Sequence, residues 1–152
     1  MSSRQGRDAT DAAVAARQCG FAWVGLVVAI AVHVADEALT DFLSVYNPIA
    51  QTVRAQLPWL PLPTFTFESW LTGLIFGIGI LFCLSPFAFL GSRGMRPLYF
   101  FLGFAMTDNA FGHILGSISL GRPMPGAYSS PLLLAAALWL LWQMVEKKPA
   151  AD

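Results

Sequence analysis

An apolar run over about residues 21–43 occupies the first third of the chain. Its length matches a helix that crosses a bilayer, because about 20 apolar residues cover the hydrocarbon thickness. Nevertheless His33, Asp36 and Glu37 lie inside it. A charged side chain at that depth costs roughly 2.5–3.5 kcal/mol on insertion scales, so such groups are rarely accidental. Their spacing of three and four residues puts them on or near one helical face, which predicts a polar site inside a membrane bundle.

The composition of the whole chain is that of a membrane protein. Apolar residues make up 56% of the 152 residues and charged residues only 12%, with a mean hydropathy of +0.60. Soluble domains usually carry about 25% charged residues. The formal net charge is zero and no basic stripe is present, so nothing favours nucleic-acid binding. We therefore expect an integral membrane protein.

Further apolar stretches predict an all-α fold, a four-helix transmembrane bundle. The expected helices cover about residues 20–43, 67–90, 98–120 and 127–145. Residues 1–19 are expected to form a polar N-terminal segment, either helical or disordered, and 147–152 a tail after a single membrane domain, 20–146. The connector 44–66 is rich in proline, and its 49–57 part can form a short interfacial helix. Basic residues before the first run resemble the start of a secretory signal, but the polar groups within the run favour a retained helix.

The distribution of basic residues predicts the orientation of this bundle. Four spans put both termini and the turn at 91–97 on one side of the membrane. That side carries seven basic residues, Arg4, Arg7, Arg17, Arg93, Arg96, Lys147 and Lys148. The other side carries Arg54 and Arg122. Because basic residues are enriched in cytoplasmic segments, we expect both termini in the cytoplasm.

Polar residues of the third helix lie at the same depth as those of the first. Asn109 and His113 are four residues apart and share one helical face. His33 and Glu37 lie roughly 13–17 residues into the first helix, and Asn109 and His113 lie roughly 11–15 residues into the third. At ~1.5 Å rise per residue, the two pairs are at the same depth within about one helical turn. Glu68 enters from the same outer side. We expect one site in the outer half of the bilayer.

The predicted spans contain acids, Asp108 among them, but no Lys or Arg that would balance their charge. The carboxylates are therefore either protonated or hold a cation. Imidazole and carboxylate ligands suit Zn²⁺, Fe²⁺ or Mn²⁺, and four-helix cores build metal sites from such side chains. The candidate metal ligands are His33, Asp36, Glu37 and His113. Without a metal, the same groups can act as acid and base, or form a polar network that holds helices together.

The leading functional hypothesis is a small metal-dependent or acid–base enzyme acting on a membrane lipid or lipid-like molecule. His33, Glu37 and His113 are the candidate catalytic residues. The expected supporting residues are Asp36, Asn109, Glu68 and Asp108. The alternatives are a metal-free ligand-binding or isomerase-like protein, a proton-linked transporter, and a structural protein. A transporter needs a continuous polar path, which the apolar residues 22–30 and 99–106 disfavour.

Small residues suggest further local structure. Gly73 and Gly77 form a Gly-x-x-x-Gly pair, which lets another helix approach closely. Pro125-Gly126 is expected to form the turn that starts the last helix. Ser129 and Ser130 are expected to cap that helix, with contact to a ligand as the alternative.

Three motifs occur in the same order as in bacterial integral membrane proteins named for an HXXEE motif. His33-Val34-Ala35-Asp36-Glu37 resembles that motif, with the shorter aspartate for its first glutamate. Asn109-Ala110-Phe111-Gly112-His113 resembles the family's Asn-x-x-x-His, and Pro125-Gly126 its later Pro-Gly. The resemblance covers about residues 20–145. It implies a shared site of His33, Asp36, Glu37, Asn109 and His113, and, for a bacterial protein, location in the inner membrane.

A weaker resemblance is to the emopamil-binding/sterol-isomerase type of four-span domain. There a His-x-x-x-Glu on one helix and a Glu at the head of another surround a cationic intermediate. His33 with Glu37, followed by Glu68, is similar to that pattern. Ala136-Ala137-Leu138-Trp139 resembles its Asn-Ala-Leu-Trp with alanine for the asparagine, and this difference argues against the same isomerase activity.

Overall fold

The structure of the protein, a computed structural model, describes residues 2–145, with side chains described at residue 6 and from residue 10 onward. Within this range the chain forms helices joined by turns and loops, and it contains no strand. The predicted tail 147–152 and the side chains of Arg4 and Arg7 lie outside the described part. The helices are α1 (Ser2–Leu39), α2 (Phe42–Gln56), α3 (Phe67–Cys83), α4 (Ser85–Phe89), α5 (Met95–Leu120) and α6 (Ser130–Val145).

Helix α1 is the centre of the fold and packs against α3, α4 and α6, while α5 packs against α6. It continues from Ser2 through the polar N-terminal segment into the apolar run. Its buried face carries Trp23, Leu26 and Ile30, at the three- and four-residue spacing of a helix surface. The Trp23 indole nitrogen donates a hydrogen bond to the carbonyl oxygen of Leu81 at 3.2 Å, which ties α1 to α3. The core therefore forms around the helix that carries His33 and Glu37.

The first predicted helix, about residues 20–43, is divided in the structure. Helix α1 ends at Leu39, and Asp41 adopts a left-handed conformation with φ 58°. Aspartate is one of the few side chains that tolerate this conformation. The chain turns there and α2 follows at once, so the helix of the connector is longer than the predicted 49–57 segment. The side chain of Asn47 pairs with the backbone of Phe65 through two hydrogen bonds, which hold α2 against the loop before α3.

The second predicted helix is present as α3 and α4 with an interruption at Leu84. Pro86 explains the interruption because it has no N–H to donate to the carbonyl of Phe82. A Cβ atom added at Gly73 or Gly77 would meet nothing within 4 Å. The close helix approach predicted from these glycines is therefore absent among the described residues.

The last two helices agree with prediction apart from their starts. Helix α5 begins at Met95 and ends at Leu120, where Gly121 takes a left-handed conformation with φ 62°. Helix α6 begins at Ser130, three residues later than expected. Residues 125–129 form turns instead, with Gly126 at φ 82°. This turn lies directly over the polar residues of α1 and α5.

Two stretches, Thr10–Leu39 and Phe67–Phe89, are long and apolar enough to cross a membrane. A buried core helix of a soluble protein can meet the same criterion. However, only 6% of the apolar window of Phe67–Phe89 is buried inside the protein. Its large side chains are exposed, for example Ile75 and Phe76, and an extensive exposed apolar surface marks contact with lipid or with another protein. This exposure supports a membrane protein.

Candidate metal centre

The centre of the site is a buried group of His33, Glu37 and His113. Glu37 Oε1 lies 3.6 Å from His33 Nε2 on the same helix and 3.1 Å from His113 Nε2 on α5. The two imidazole rings meet edge to face, with centroids 4.8 Å apart. Each of the three residues is 5% exposed or less. The predicted meeting of α1 and α5 side chains at one depth is therefore present in the structure.

Ser129 forms a hydrogen bond with the Nδ1 atom of His33. Its hydroxyl oxygen lies 2.8 Å from His33 Nδ1 and 2.8 Å from Asp36 Oδ2, and its backbone N–H donates to the same carboxylate oxygen at 2.9 Å. When Asp36 is ionised its carboxylate only accepts, so the single hydroxyl proton of Ser129 lies toward Asp36 or toward the Gly126 carbonyl oxygen at 3.2 Å, and not toward His33. His33 Nδ1 must then donate its proton to Ser129. In the neutral imidazole this pattern leaves Nε2 of His33 as the acceptor nitrogen.

In this neutral form His33 Nε2 faces a second acceptor. His33 Nε2 is buried and has no hydrogen-bond partner among the described residues, and the nearest charged atom is Glu37 Oε1 at 3.6 Å. Two acceptors at this distance repel each other unless a cation or a proton lies between them. The hydrogen bond from the other nitrogen to Ser129, backed by a carboxylate, is the arrangement that commonly orients metal-binding histidines.

The two distances from Glu37 Oε1 to the histidine nitrogens are compatible with a bound divalent ion. One candidate ligand atom from each of His33, Glu37 and His113 lies within 4.8 Å of the others. Zn²⁺ binds nitrogen and oxygen at about 2.0–2.1 Å, so neighbouring ligand atoms of a tetrahedral site stand about 3.3 Å apart. The observed distances of 3.6 and 3.1 Å bracket that value. This group can hold a metal ion, and three protein ligands leave a fourth position open, as in catalytic zinc sites.

Gly126 lets the turn before α6 close over the group. A Cβ atom there would stand 2.9 Å from His113 Cε1 and 3.0 Å from Glu37 Cγ. The Gly126 N–H donates to Thr40 Oγ1 at 3.3 Å, and the Ser130 hydroxyl donates to the Gly126 carbonyl at 2.8 Å. Both the positive φ and the close approach require glycine at this position.

The remaining predicted site residues lie around this centre. Asp36 contacts it through Ser129. Asn109 is half-buried on α5, and its side-chain oxygen is buried without a hydrogen-bond partner among the described residues. Asp108 is exposed on the neighbouring face of α5. Glu68 is exposed in the first turn of α3, and the structure does not bring it into the buried group.

A groove of about 370 Å³ between α2 and α5 reaches the centre. Its lining includes Phe42, Tyr46, Ile49, Asn109, His113 and Met124. The ring of Phe42 lies 5.8 Å from that of His113, centroid to centroid. The groove is therefore largely apolar, with the carboxylate of Asp108, an amide and an imidazole along α5, which is the character of a site for an amphiphilic molecule.

Sequence reasoning gave Ser129 and Gly126 only local roles, a helix cap and a turn. In the structure both belong to the site. The sequence signal for Ser129 was its position at the predicted outer level, where contact with a ligand was the alternative to a helix cap. Phe42 was assigned to the end of the first helix, and its position against His113 depends on the turn at Asp41.

Comparison of the chain with protein-family models, with curated protein sequences and with solved structures gives no match. The function is therefore argued from the geometry of the site.

Proposed function

We propose that this chain is a four-span integral membrane protein with a divalent metal centre at His33, Glu37 and His113, which acts on a lipid-like molecule. The spans are α1, α3 with α4, α5 and α6, and both termini are cytoplasmic. Its relation to the HXXEE-motif family, and hence an inner-membrane location for a bacterial protein, belongs to the same proposal. The excess of basic residues on the side of the termini supports this orientation.

The observation that carries the metal assignment is the unpartnered His33 Nε2 beside Glu37 Oε1. A buried polar atom without a partner is costly, so its retention favours a ligand. Asp36 and Ser129 fix the ring so that this nitrogen, and not the other, faces the group. Zn²⁺, Fe²⁺ and Mn²⁺ all accept nitrogen and carboxylate ligands.

The groove beside His113 supports a lipid-like substrate. A divalent ion held by His33, Glu37 and His113 would supply Lewis-acid polarisation of a substrate oxygen. The side-chain oxygen of Asn109 is positioned to accept a hydrogen bond from a hydroxyl or amide of the head group. Phe42 and Met124 line the path for the apolar part. A metal-assisted reaction of a lipid-like molecule bound in this groove is thus the function that the site supports best.

A metal-free acid–base site is the second candidate, and one distance favours it. His113 Nε2 and Glu37 Oε1 stand 3.1 Å apart, already suitable for a hydrogen bond. A proton on His33 Nε2 would remove the repulsion from Glu37 as a cation does. In that case the pair transfers protons to a ligand in the groove without an ion.

Elemental mass spectrometry of the detergent-purified protein decides between the two. We expect about one divalent ion per wild-type chain and none in the His33→Ala/His113→Ala double variant, because both imidazole ligands are lost. Glu68→Gln serves as the control, since its carboxylate is exposed and outside the group. Wild-type protein that stays metal-free after reconstitution with Zn²⁺, Fe²⁺ and Mn²⁺ would reject the metal centre.

A further inference from the structure

A second cavity lies toward the opposite end of α1. It has a volume of about 360 Å³, is open on one side, and is lined by residues of α1, the turn after α4, α5 and α6. Its lining includes Ala12, Ala16, Ser92, Arg96, Tyr99 and Met144. Ala16 precedes His33 by 17 residues, which is roughly 25 Å along a helix, so the cavity is separate from the metal centre.

Tyr99 places a buried polar atom at this cavity. The residue is only 2% exposed, and its hydroxyl has no hydrogen-bond partner among the described residues. Its ring packs against Trp23, with centroids 5.5 Å apart, so the phenol is held in a fixed position. Buried tyrosine hydroxyls usually find a partner, and the unsatisfied donor here points to a ligand that supplies an acceptor.

Arg96 gives the cavity a positive charge. It precedes Tyr99 by three residues on α5, and both side chains line the same space. Among the side chains that the structure describes, the lining contains no Asp or Glu and Arg96 forms no ion pair. A guanidinium and a phenol hydroxyl together offer donors to one anion, and phosphate is the anion that arginine commonly binds.

We propose that this cavity binds the phosphate group of an anionic membrane lipid. Arg96 pairs with the phosphate, the Tyr99 hydroxyl donates a hydrogen bond to it, and Ser92 lies at the same edge. Ala12, Ala16 and Met144 line the part next to the lipid's apolar portion. This apolar wall favours a lipid over inorganic phosphate. The inference relies on the proposed four-span topology, which puts Arg96 at the cytoplasmic surface, and is independent of the metal centre.

Native mass spectrometry in detergent with defined lipids tests the proposal. We expect wild type to bind phosphatidic acid more strongly than phosphatidylcholine. Tyr99→Phe, which keeps the ring and removes only the hydroxyl, should weaken this binding by about 5-fold, a typical effect of one hydrogen bond. Arg96→Gln should weaken it by about 10-fold or more, as expected for a charge-assisted contact. The metal content of both variants should equal that of wild type.

Tyr128→Phe and Arg122→Gln are the matched controls. Both residues are exposed, and they lie in the loop at the other end of the bundle. Equal lipid binding by all four variants would overturn the proposal. Displacement of the lipid by millimolar inorganic phosphate would assign the site to the free anion and overturn its lipid part. Thermal unfolding of each variant in the same detergent separates loss of binding from loss of fold.

Discussion

Ser129 determines which nitrogen of His33 is available to a ligand. Its hydroxyl connects the Asp36 carboxylate to His33 Nδ1, with 2.8 Å on each side. Without this link the imidazole could carry its proton on either nitrogen, and only one of the two forms leaves Nε2 free. Asp36 is therefore a positioning residue in this geometry, and its shorter side chain than glutamate suits a contact with the backbone N–H of Ser129.

We expect Ser129→Ala to weaken metal binding by about 10–100-fold, the usual effect of losing a hydrogen bond that orients a metal ligand. Isothermal titration with Zn²⁺ measures the change. Ser130→Ala is the matched control, because that hydroxyl donates only to the Gly126 carbonyl. Equal loss in both variants would show that the turn, and not the link to His33, accounts for the effect.

The sequence predicted the residues of the buried group, all of which lie on helices. His33 and Glu37 follow from their spacing, and His113 from its depth in the third span. Ser129 could not be predicted as their partner, because it lies 96 residues from His33 and reaches the ring only through the turn at 125–129. Helix periodicity carries no information about the path of such a turn.

The turn before α6 is the element that closes the site. Gly126 and Gly121 both have positive φ, yet only Gly126 approaches other side chains. Two separate costs therefore apply to a Cβ atom at Gly126. One is backbone strain, shared with Gly121, and the other is contact with His113 and Glu37.

We expect Gly121→Ala to lower stability by about 1 kcal/mol through the left-handed backbone alone. Gly126→Ala should cost about 1–3 kcal/mol more, as overpacking does, and should also lower metal content. Thermal unfolding in detergent and elemental mass spectrometry give the two readouts. If both variants behave alike, the contacts of Gly126 with the site do not matter.

The positions of helices were largely predictable, and their breaks were not. Hydropathy locates α1, α3 and α5 well, because apolar runs of that length form helices in either environment. It does not register the turn at Asp41, since Phe42 and Leu43 continue the apolar pattern. For the same reason α2 was predicted too short.

The molecule as a whole is organised around α1, with α3 and α4 on one part of its surface and α6 on another. Apolar side chains of α3 and α5 face outward, including Phe76 and Phe101. This arrangement suits a bundle surrounded by lipid. The two ends of the bundle then have different chemistry, a carboxylate and imidazole group at one end and an arginine-lined cavity at the other.

Single cysteines can test the proposed orientation. In a Cys19→Ala/Cys83→Ala background, we expect Gly94→Cys to react with a membrane-impermeant maleimide only after the cells are opened. Pro123→Cys should react in intact cells with a permeable outer envelope. Both positions are exposed, and a Cβ atom at Gly94 meets nothing within 4 Å. The reverse labelling pattern would contradict cytoplasmic termini.

The position of His33 and Glu37 on a single helix bears on how such a chain is made. If α1 is a membrane span, as proposed, synthesis delivers it to the bilayer before α5 and the turn exist, so during insertion Glu37 has neither His113 nor the Gly126 turn beside it. The neighbour it already has is His33, one helical turn away at 3.6 Å. A proton shared within that pair would neutralise the acid while the translocon releases the helix. The four-residue spacing of His33 and Glu37, which places both side chains in the site of the folded protein, would thus also lower the cost of inserting α1 into the membrane.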